Sequence, residues 1–352
     1  MEYLERELMR LSIMLLLVLV NVCHGCREQE RIALLQLKDS INHPNGSSLP
    51  SWEDWDGEEP TDCCEWEGVE CNATTRRIIK LSLNSTREYE LGDWYLNTSM
   101  FLPFESLVNL DLTNNVLLGC IENEGFEKLS RLSNLHILDL SENYFNNRIL
   151  SSLNGLSSLK TLRLYDNNLT GQVYIEDFDS LNNLKELNIS WNRLESIVSR
   201  EGFEKLSGLS NLQILDLSSN SHNNSILSSL SGLSSLNTLK LQQNNLIGQL
   251  YIQDFNDLNN LKELDISRND LASIITREDF FHASSLITSL KLSGSTTQNF
   301  QLAYTSLRLL ILLRVELGDE EFKLDGEIED NSYGASCTSL SSFSDSSLKM
   351  MT

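Results

Sequence analysis

Cysteine is the residue type in this chain whose spacing points most directly to chemistry. Four cysteines lie towards the amino terminus, and they are Cys26, Cys63, Cys64 and Cys71. Such a group can either bind a metal ion or form disulfides. In an exported chain with no histidine cluster beside these cysteines, disulfides are favoured, so we expect no metal site. Four cysteines permit three pairings, and adjacent cysteines rarely pair with each other.

Catalytic chemistry has no comparable signal. The chain contains five histidines, and none has the spacing of a zinc site or of a base that activates a nucleophile. The sequence also lacks the nucleophile elbow, the phosphate-binding loop, the dinucleotide fingerprint and the kinase signature. We therefore expect neither an enzyme nor a bound cofactor. Cys120 is interpreted as a buried thiol and Cys337 as a tail cysteine.

Residues 1–25 have the pattern of a secretory signal. The apolar run Ile13–Val20 is too short to cross a bilayer, and the small residues Cys23 and Gly25 precede a cut before Cys26. Seven Asn-x-Ser/Thr sequons support passage through the secretory pathway. The candidate glycosylation sites are Asn45, Asn72, Asn84, Asn97, Asn168, Asn188 and Asn223. We expect the protein outside the cell or at the surface of the plasma membrane.

The composition restricts the class of partner. The chain has 352 residues, of which 40% are hydrophobic and 22% charged, and these values exclude disorder throughout. The net charge is −23, so the surface repels nucleic acid, anionic lipid and pectin-like polyanions. We expect a basic or neutral partner and no nucleic acid.

The rest of the chain is organised by repetition. A block of 77 residues at 124–200 is duplicated without a gap at 201–277. Within each copy the pattern Leu-x-x-Leu-x-Leu-x-x-Asn recurs, and successive asparagines are 24, 25 or 28 residues apart. Such a period is typical of a stacked array of short structural units.

The pattern also predicts how each unit folds. In Leu138–Leu140, alternation places two leucines on one face of a short strand and the carboxylate of Asp139 on the other. One strand cannot bury its leucines alone, so parallel stacking must form leucine columns. The closing asparagine has a donor and an acceptor on a short side chain, and we expect these residues to form a ladder that bonds backbone groups.

These motifs resemble those of the plant extracellular leucine-rich repeat family. The run Cys63-Cys64-x-Trp66-x-Gly68-Val69-x-Cys71, preceded by Cys26 and Ser51-Trp52, resembles the amino-terminal cap of that family. The resemblance implies an α/β solenoid, a curved horseshoe with a parallel β-sheet on its concave face and a disulfide-bonded cap. It also implies the pairings Cys26–Cys63 and Cys64–Cys71.

The expected organisation follows the same resemblance. Residues 26–76 form the cap and begin with a helix at Arg27–Ile41, and residues 77–315 form an array of about nine or ten repeats. Residues 316–352 are acidic and serine-rich, which predicts a disordered tail. The family's regular Gly-x-Ile-Pro phrase is missing, since the chain has Gly171–Tyr174 and Gly248–Tyr251 instead. That departure argues against the family's second, outer sheet.

Outward-pointing positions of the strands are the candidate binding surface. One row, called here the strand row, contains the residue between the two inner leucines of each unit. A second, the turn row, contains the residue just before each asparagine. The candidates are Asp139, Glu142, Arg163, Asp166, Trp191, Asp216, Lys240, Gln243, Asp265 and Arg268. All are expected to be exposed on the concave face, and Trp191 is the large aromatic residue among them.

The resemblance implies a function in recognition. Plant receptor-like proteins bind extracellular peptides or microbial molecules and signal through partner receptor kinases. We therefore expect a protein or peptide ligand, a co-receptor kinase, and membrane contact only through a partner or a missing carboxyl-terminal anchor. Two alternatives are a secreted inhibitor of a cell-wall-degrading enzyme, of the polygalacturonase-inhibitor type, and a truncated, non-functional receptor fragment.

Overall fold

The computed structural model describes residues 26–53, 55–56, 59–153, 155–199, 209–255, 257–275, 289–291, 301–303 and 314–316. The predicted secretory signal lies outside these residues, as do Cys337 and the predicted tail beyond residue 316. The α-helices are α1 (Glu28–Asn42), α2 (Arg148–Ser152) and α3 (Ser225–Ser229). The 3-10 helices are Cys63–Glu65, Tyr89–Leu91, Thr98–Phe101, Phe126–Arg131, Ile175–Phe178 and Ile252–Phe255.

Most of the strands are three to six residues long, as expected for one strand per turn of a stacked array. In chain order they are β1 (Trp55–Asp56), β2 (Glu59–Pro60), β3 (Val69–Cys71), β4 (Ile78–Ser82), β5 (Trp94–Leu96), β6 (Asn109–Asp111), β7 (Leu117–Cys120), β8 (Ile137–Asp139), β9 (Thr161–Arg163), β10 (Thr170–Tyr174), β11 (Glu186–Asn188), β12 (Arg193–Val198), β13 (Ile214–Asp216), β14 (Thr238–Lys240), β15 (Ile247–Tyr251), β16 (Glu263–Asp265), β17 (Asp270–Ile275), β18 (Ser289–Lys291), β19 (Gln301–Ala303) and β20 (Arg314–Glu316).

An eleven-stranded sheet forms one face of the array, in the order β3-β4-β6-β8-β9-β11-β13-β14-β16-β18-β20. Its neighbours are parallel except for β3 and β4, which are antiparallel. The central leucines align across the strands, so that Leu138 is opposite Leu110 on one side and Leu162 on the other. All three are fully buried. The predicted solenoid with parallel strands and leucine columns is confirmed.

The asparagine ladder is confirmed in atomic detail. Asn143 donates from Nδ2 to the carbonyls of Leu140 and Ser141 in its own unit and of Leu112 in the preceding one, at 3.1, 2.9 and 3.0 Å. Its Oδ1 accepts from the backbone N–H of Asn115 at 3.0 Å. Each of seven asparagines donates to a carbonyl of the preceding unit: Asn115, Asn143, Asn167, Asn192, Asn220, Asn244 and Asn269. The side chain therefore joins neighbouring units where backbone pairing ends.

A second, outer sheet is present, so the expectation drawn from the missing Gly-x-Ile-Pro phrase was wrong. On the side away from the main sheet, β5 pairs with β7 and β10 pairs with β12. Further along, β17 pairs with β15 on one side and with β19 on the other. All of these pairs are parallel. Backbone pairing does not need the missing proline, since Val173 of β10 lies opposite Ile197 of β12 and both side chains are buried. Gly171, with φ +63°, lies at the register shift in β10.

The outer sheet is interrupted where α2 and α3 replace a strand. At each interruption, the side-chain amide of an asparagine bonds to the free edge of the next strand in the way that the backbone of a neighbouring strand would. Asn147 accepts from the N–H of Thr170 at 2.9 Å and donates to its carbonyl at 2.8 Å. Asn224 makes the same pair of bonds with Ile247, at 2.9 and 3.0 Å. The two sites are 77 residues apart, so the duplication also reproduces this detail.

The amino-terminal cap covers the first unit of the array. In α1 the apolar residues Leu34, Leu37 and Ile41 are fully buried, as the predicted helix requires. Disulfides join Cys26 to Cys63 and Cys64 to Cys71, as the family resemblance implies. The antiparallel strand β3 extends the main sheet beyond β4, so the first leucine column is not exposed to water.

Candidate ligand-binding surface

The strand row lies in register along the main sheet. Its members are Asp111, Asp139, Arg163, Asn188, Asp216, Lys240, Asp265 and Lys291, each opposite the next. The central charges are paired with one another. Arg163 contacts Asp139 at 3.5 Å and Glu186 at 3.0 Å, while Lys240 contacts Asp216 at 3.1 Å. These ion pairs leave much of the strand row satisfied within the protein.

The protonation of Arg163 follows from this network. Partial burial alone would lower the pKa of its guanidinium, but the carboxylates of Glu186 and Asp139 outweigh burial and raise the pKa. Arg163 is therefore a fixed cation held between two strands. Glu186, which the sequence patterns did not single out, is two residues earlier in its strand than the strand-row residue Asn188.

Asp216 differs from its expected exposure. The residue is only 8% exposed, because its carboxylate bonds to Lys240 and accepts from the backbone N–H of Ser218 at 3.1 Å. Alternation along a strand predicts which face a side chain points to, but not whether its neighbours cover it. The prediction that Asp216 is exposed was wrong, and its role as a contact residue stays a prediction.

The turn row has an unusual backbone. Its members Asn114, Glu142, Asp166, Trp191, Ser219, Gln243 and Arg268 all have φ between 50° and 55°. This left-handed conformation is uncommon outside glycine, and here it reverses the chain after each strand. The N–H groups of the first six members also continue the ladder between units; that of Asp166 donates to the carbonyl of Ser190 at 3.0 Å and that of Trp191 to the carbonyl of Ser218 at 2.9 Å. The repeated turn therefore holds these side chains side by side at the edge of the sheet.

The side chains of the turn row are more available to a ligand than those of the strand row. Glu142 accepts a hydrogen bond from the Tyr165 hydroxyl, which raises the pKa of Tyr165 to about 12. In the described part of the chain, four other members are exposed and make no side-chain hydrogen bond or ion pair: Asp166, Trp191, Gln243 and Arg268. Trp191 is 58% exposed. Asp265, in the strand row, accepts from Ser267 at 2.6 Å.

The sequons occupy several faces of the molecule. Asn45, Asn72, Asn84 and Asn223 are exposed, whereas Asn97, Asn168 and Asn188 are half-buried. Asn188 lies in the strand row and accepts from the Ser190 hydroxyl at 2.6 Å. A glycan at Asn188 would cover the concave face near Trp191, so its occupancy bears directly on access to that residue.

Comparison with known proteins identifies the family. Residues 27–72 match the family described as leucine rich repeat N-terminal domain, and residues 183–206 match leucine rich repeat. Cuscuta receptor 1 of Solanum lycopersicum is 35% identical over 258 residues, covering 69% of this chain and 22% of that protein. Receptor-like protein 13 of Arabidopsis thaliana is 38% identical over 258 residues, covering 69% and 24%. The chain belongs to the plant receptor-like proteins with leucine-rich repeats.

This receptor-like chain spans less than a quarter of the length of those two relatives. Its fold is similar to the ectodomain of the Arabidopsis receptor kinase HAESA in complex with an extended IDA peptide hormone, with a TM-score of 0.57 and 24% identity. That match covers 84% of this chain and 49% of the other, and it establishes the fold alone. Within the described residues, no helix has both the length and the apolar character needed to span a membrane.

Two titratable groups in this receptor-like chain have no role in the candidate surface. Cys120 is unpaired and half-buried, and desolvation raises its thiol pKa to about 12. His222 is fully buried at the position where the first copy has Phe145. The 77-residue offset was the signal that could have shown this histidine to be a core residue from sequence.

Proposed function

We propose that this chain is the ligand-binding part of an extracellular plant receptor whose concave face recognises a protein or peptide. The observation that supports this most is the turn row. Between the two copies, the buried leucine scaffold is repeated while matched exposed residues differ: Asp166 against Gln243, and Trp191 against Arg268. A surface that varies on a fixed scaffold is suited to selective recognition.

The chain acts by binding in this proposal, not by catalysis, and a partner receptor kinase at the plasma membrane transmits the signal. Receptor names among the relatives support this assignment. The solved HAESA ectodomain, with its peptide, is consistent with the same role for the fold. The secreted-inhibitor alternative would require affinity for a cell-wall-degrading enzyme instead of a receptor kinase or its ligand.

The concave face can be tested without knowing the natural ligand. A displayed random peptide library is selected against the purified chain, and the enriched peptides are then titrated against Trp191→Ala. We expect binding to weaken at least tenfold, because exposed aromatic anchors dominate such contacts, while stability changes by less than about 0.5 kcal/mol.

Ile247→Ala is the matched control. Ile247 is 60% exposed, close to the 58% of Trp191, but it lies in the outer sheet. Peptides that bind Trp191→Ala as well as the parent chain, but lose affinity for Ile247→Ala, would place recognition on the outer sheet and refute the proposal. Failure to enrich any peptide would also count against it.

A further inference from the structure

The turn row has a definite order of chemical groups along its second half. Reading from the amino-terminal side, the residues are Asp166, Trp191, Ser219, Gln243 and Arg268, each in the unit that follows the previous one. Backbone hydrogen bonds of 2.9 or 3.0 Å join each of the first four turns to the unit that follows it. At about 4.8 Å between adjacent strands, four steps separate the backbones of Asp166 and Arg268 by about 19 Å.

The two ends of this segment have opposite chemistry. Asp166 presents a carboxylate on the turn next to that of Trp191, and a carboxylate on a turn neighbouring an exposed aromatic side chain attracts a cation such as a lysine or arginine side chain. Arg268 presents a guanidinium, whose planar donors suit a carboxylate. Neither charge has a side-chain partner among the described residues, in contrast to the paired charges of the strand row. Ser219 and Gln243 between them are neutral.

We propose that this segment of the turn row binds an extended peptide with a cationic side chain at Asp166 and Trp191 and a carboxylate at Arg268. An extended chain advances about 3.3 Å per residue, so the two peptide charges are about six residues apart. This inference rests on the proposed function, since it specifies the ligand of the same concave face. It adds a charge pattern, a spacing and a direction along the array.

The duplication allows a variant in which the proposed site moves to other turns while the backbone conformation of each turn stays the same. Asp166 and Gln243 are matched positions with φ of 50° and 55°, and Trp191 and Arg268 are matched with φ of 52° each. Exchanging residues within each pair therefore places every side chain on a turn that already holds it in the other copy. The exchange variant contains D166Q, Q243D, W191R and R268W.

In the exchange variant the carboxylate and the indole move to the last two turns, and the guanidinium moves to position 191. Two steps then separate the backbones of residues 243 and 191, or about 10 Å, so the preferred spacing falls to about three peptide residues. The direction of the charge pattern along the array also reverses.

The probes are end-blocked alanine–serine peptides with one lysine and one glutamate, either six or three residues apart, titrated calorimetrically at low salt. We expect the parent chain to bind the six-residue spacing at least tenfold more tightly, and the exchange variant to prefer the three-residue spacing. Ile247→Ala, the control in the outer sheet, should behave like the parent. Arg268→Gln should remove the contribution of the glutamate and keep that of the lysine, and it tests the proposal if the exchange variant does not fold.

Equal affinity of the parent for both spacings, or the same preference in the parent and the exchange variant, would overturn the inference. So would absence of binding by every probe. Failure of this inference can be distinguished from failure of the proposed function. Library peptides that depend on Trp191 but have no separated opposite charges would support a concave recognition face and exclude this ligand pattern.

Discussion

His222 makes the stability of the second copy depend on pH. The imidazole is fully buried, and neither ring nitrogen has a hydrogen-bond partner among the described residues. Burial lowers its pKa from 6.5 to about 4, and the backbone of Glu195, which lies near the ring without the geometry of a hydrogen bond, offsets only part of that effect. At the matched position Phe145 is 2% exposed and packs edge-on against Phe126 at 5.7 Å.

The direction of this pH dependence follows from proton binding in the folded and unfolded states. Below pH 6.5 the unfolded chain protonates this histidine, whereas the folded chain keeps it neutral until about pH 4. The stability that comes from the neutral ring is complete above pH 6.5 and is lost as the pH falls towards 4. At about 1.4 kcal/mol for each tenfold change in proton affinity, the loss amounts to about 3 kcal/mol.

The experiment compares the parent chain with His222→Phe, the residue that the first copy already has in this place. Urea unfolding at pH 7.5 and pH 4 gives the free energy of unfolding of each protein. Taking the difference between the two proteins cancels the contribution of the carboxylates that titrate in both. We expect His222→Phe to gain about 3 kcal/mol over the parent on going from pH 7.5 to 4. Parallel loss of stability in the two proteins would refute the argument, because it would mean that the ring is protonated, or exposed, in the folded state.

Three further predictions concern the scaffold. Leu215→Asp should cost more than about 3 kcal/mol in thermal or urea unfolding because it buries an unpaired carboxylate in the leucine column, while Asp216→Ala should cost about 1 kcal/mol through the loss of its lysine partner and N–H bond; equal costs would mean that the strand register is wrong. Asn167→Ala should cost about 2–3 kcal/mol by leaving buried carbonyls unbonded, and a near-neutral result would show that water replaces the ladder. Cys64→Ser with Cys71→Ser should lower stability by about 2–4 kcal/mol, and peptide mapping of the non-reduced parent that joined either cysteine elsewhere would contradict the pairing.

The sequence predicted the scaffold because its signals are periodic. The leucines bury one face of every strand, and the asparagines bond where the strands end, so spacing alone determined both. Outer-sheet strands were harder to predict, since β10 pairs with β12 through backbone groups and Val173 is the buried residue among its five. A missing proline therefore removed a family signature but not the interaction.

The candidate surface was predicted less well than the scaffold. Spacing placed Asp216 on the concave side, yet its burial depends on Lys240, a residue 24 positions away. Similarly, Arg163 is satisfied by Glu186 across the strand boundary. Whether a charge is free for a ligand is a property of cross-strand pairs, which a one-dimensional pattern does not contain. The left-handed turns were also missed, because six of the seven residues that adopt them are not asparagine.

The amides of Asn147 and Asn224 have a consequence beyond the chain itself. A parallel strand with one free edge offers a row of N–H and C=O groups to any other extended chain, and stacking of copies through such edges is a common route to aggregation. Each asparagine occupies the first such position of its strand with a group that cannot be extended further, because a side chain has no next residue. At each break in the outer sheet, the asparagine therefore ends the strand pairing. This protects the protein at these two points from pairing with the strands of other molecules.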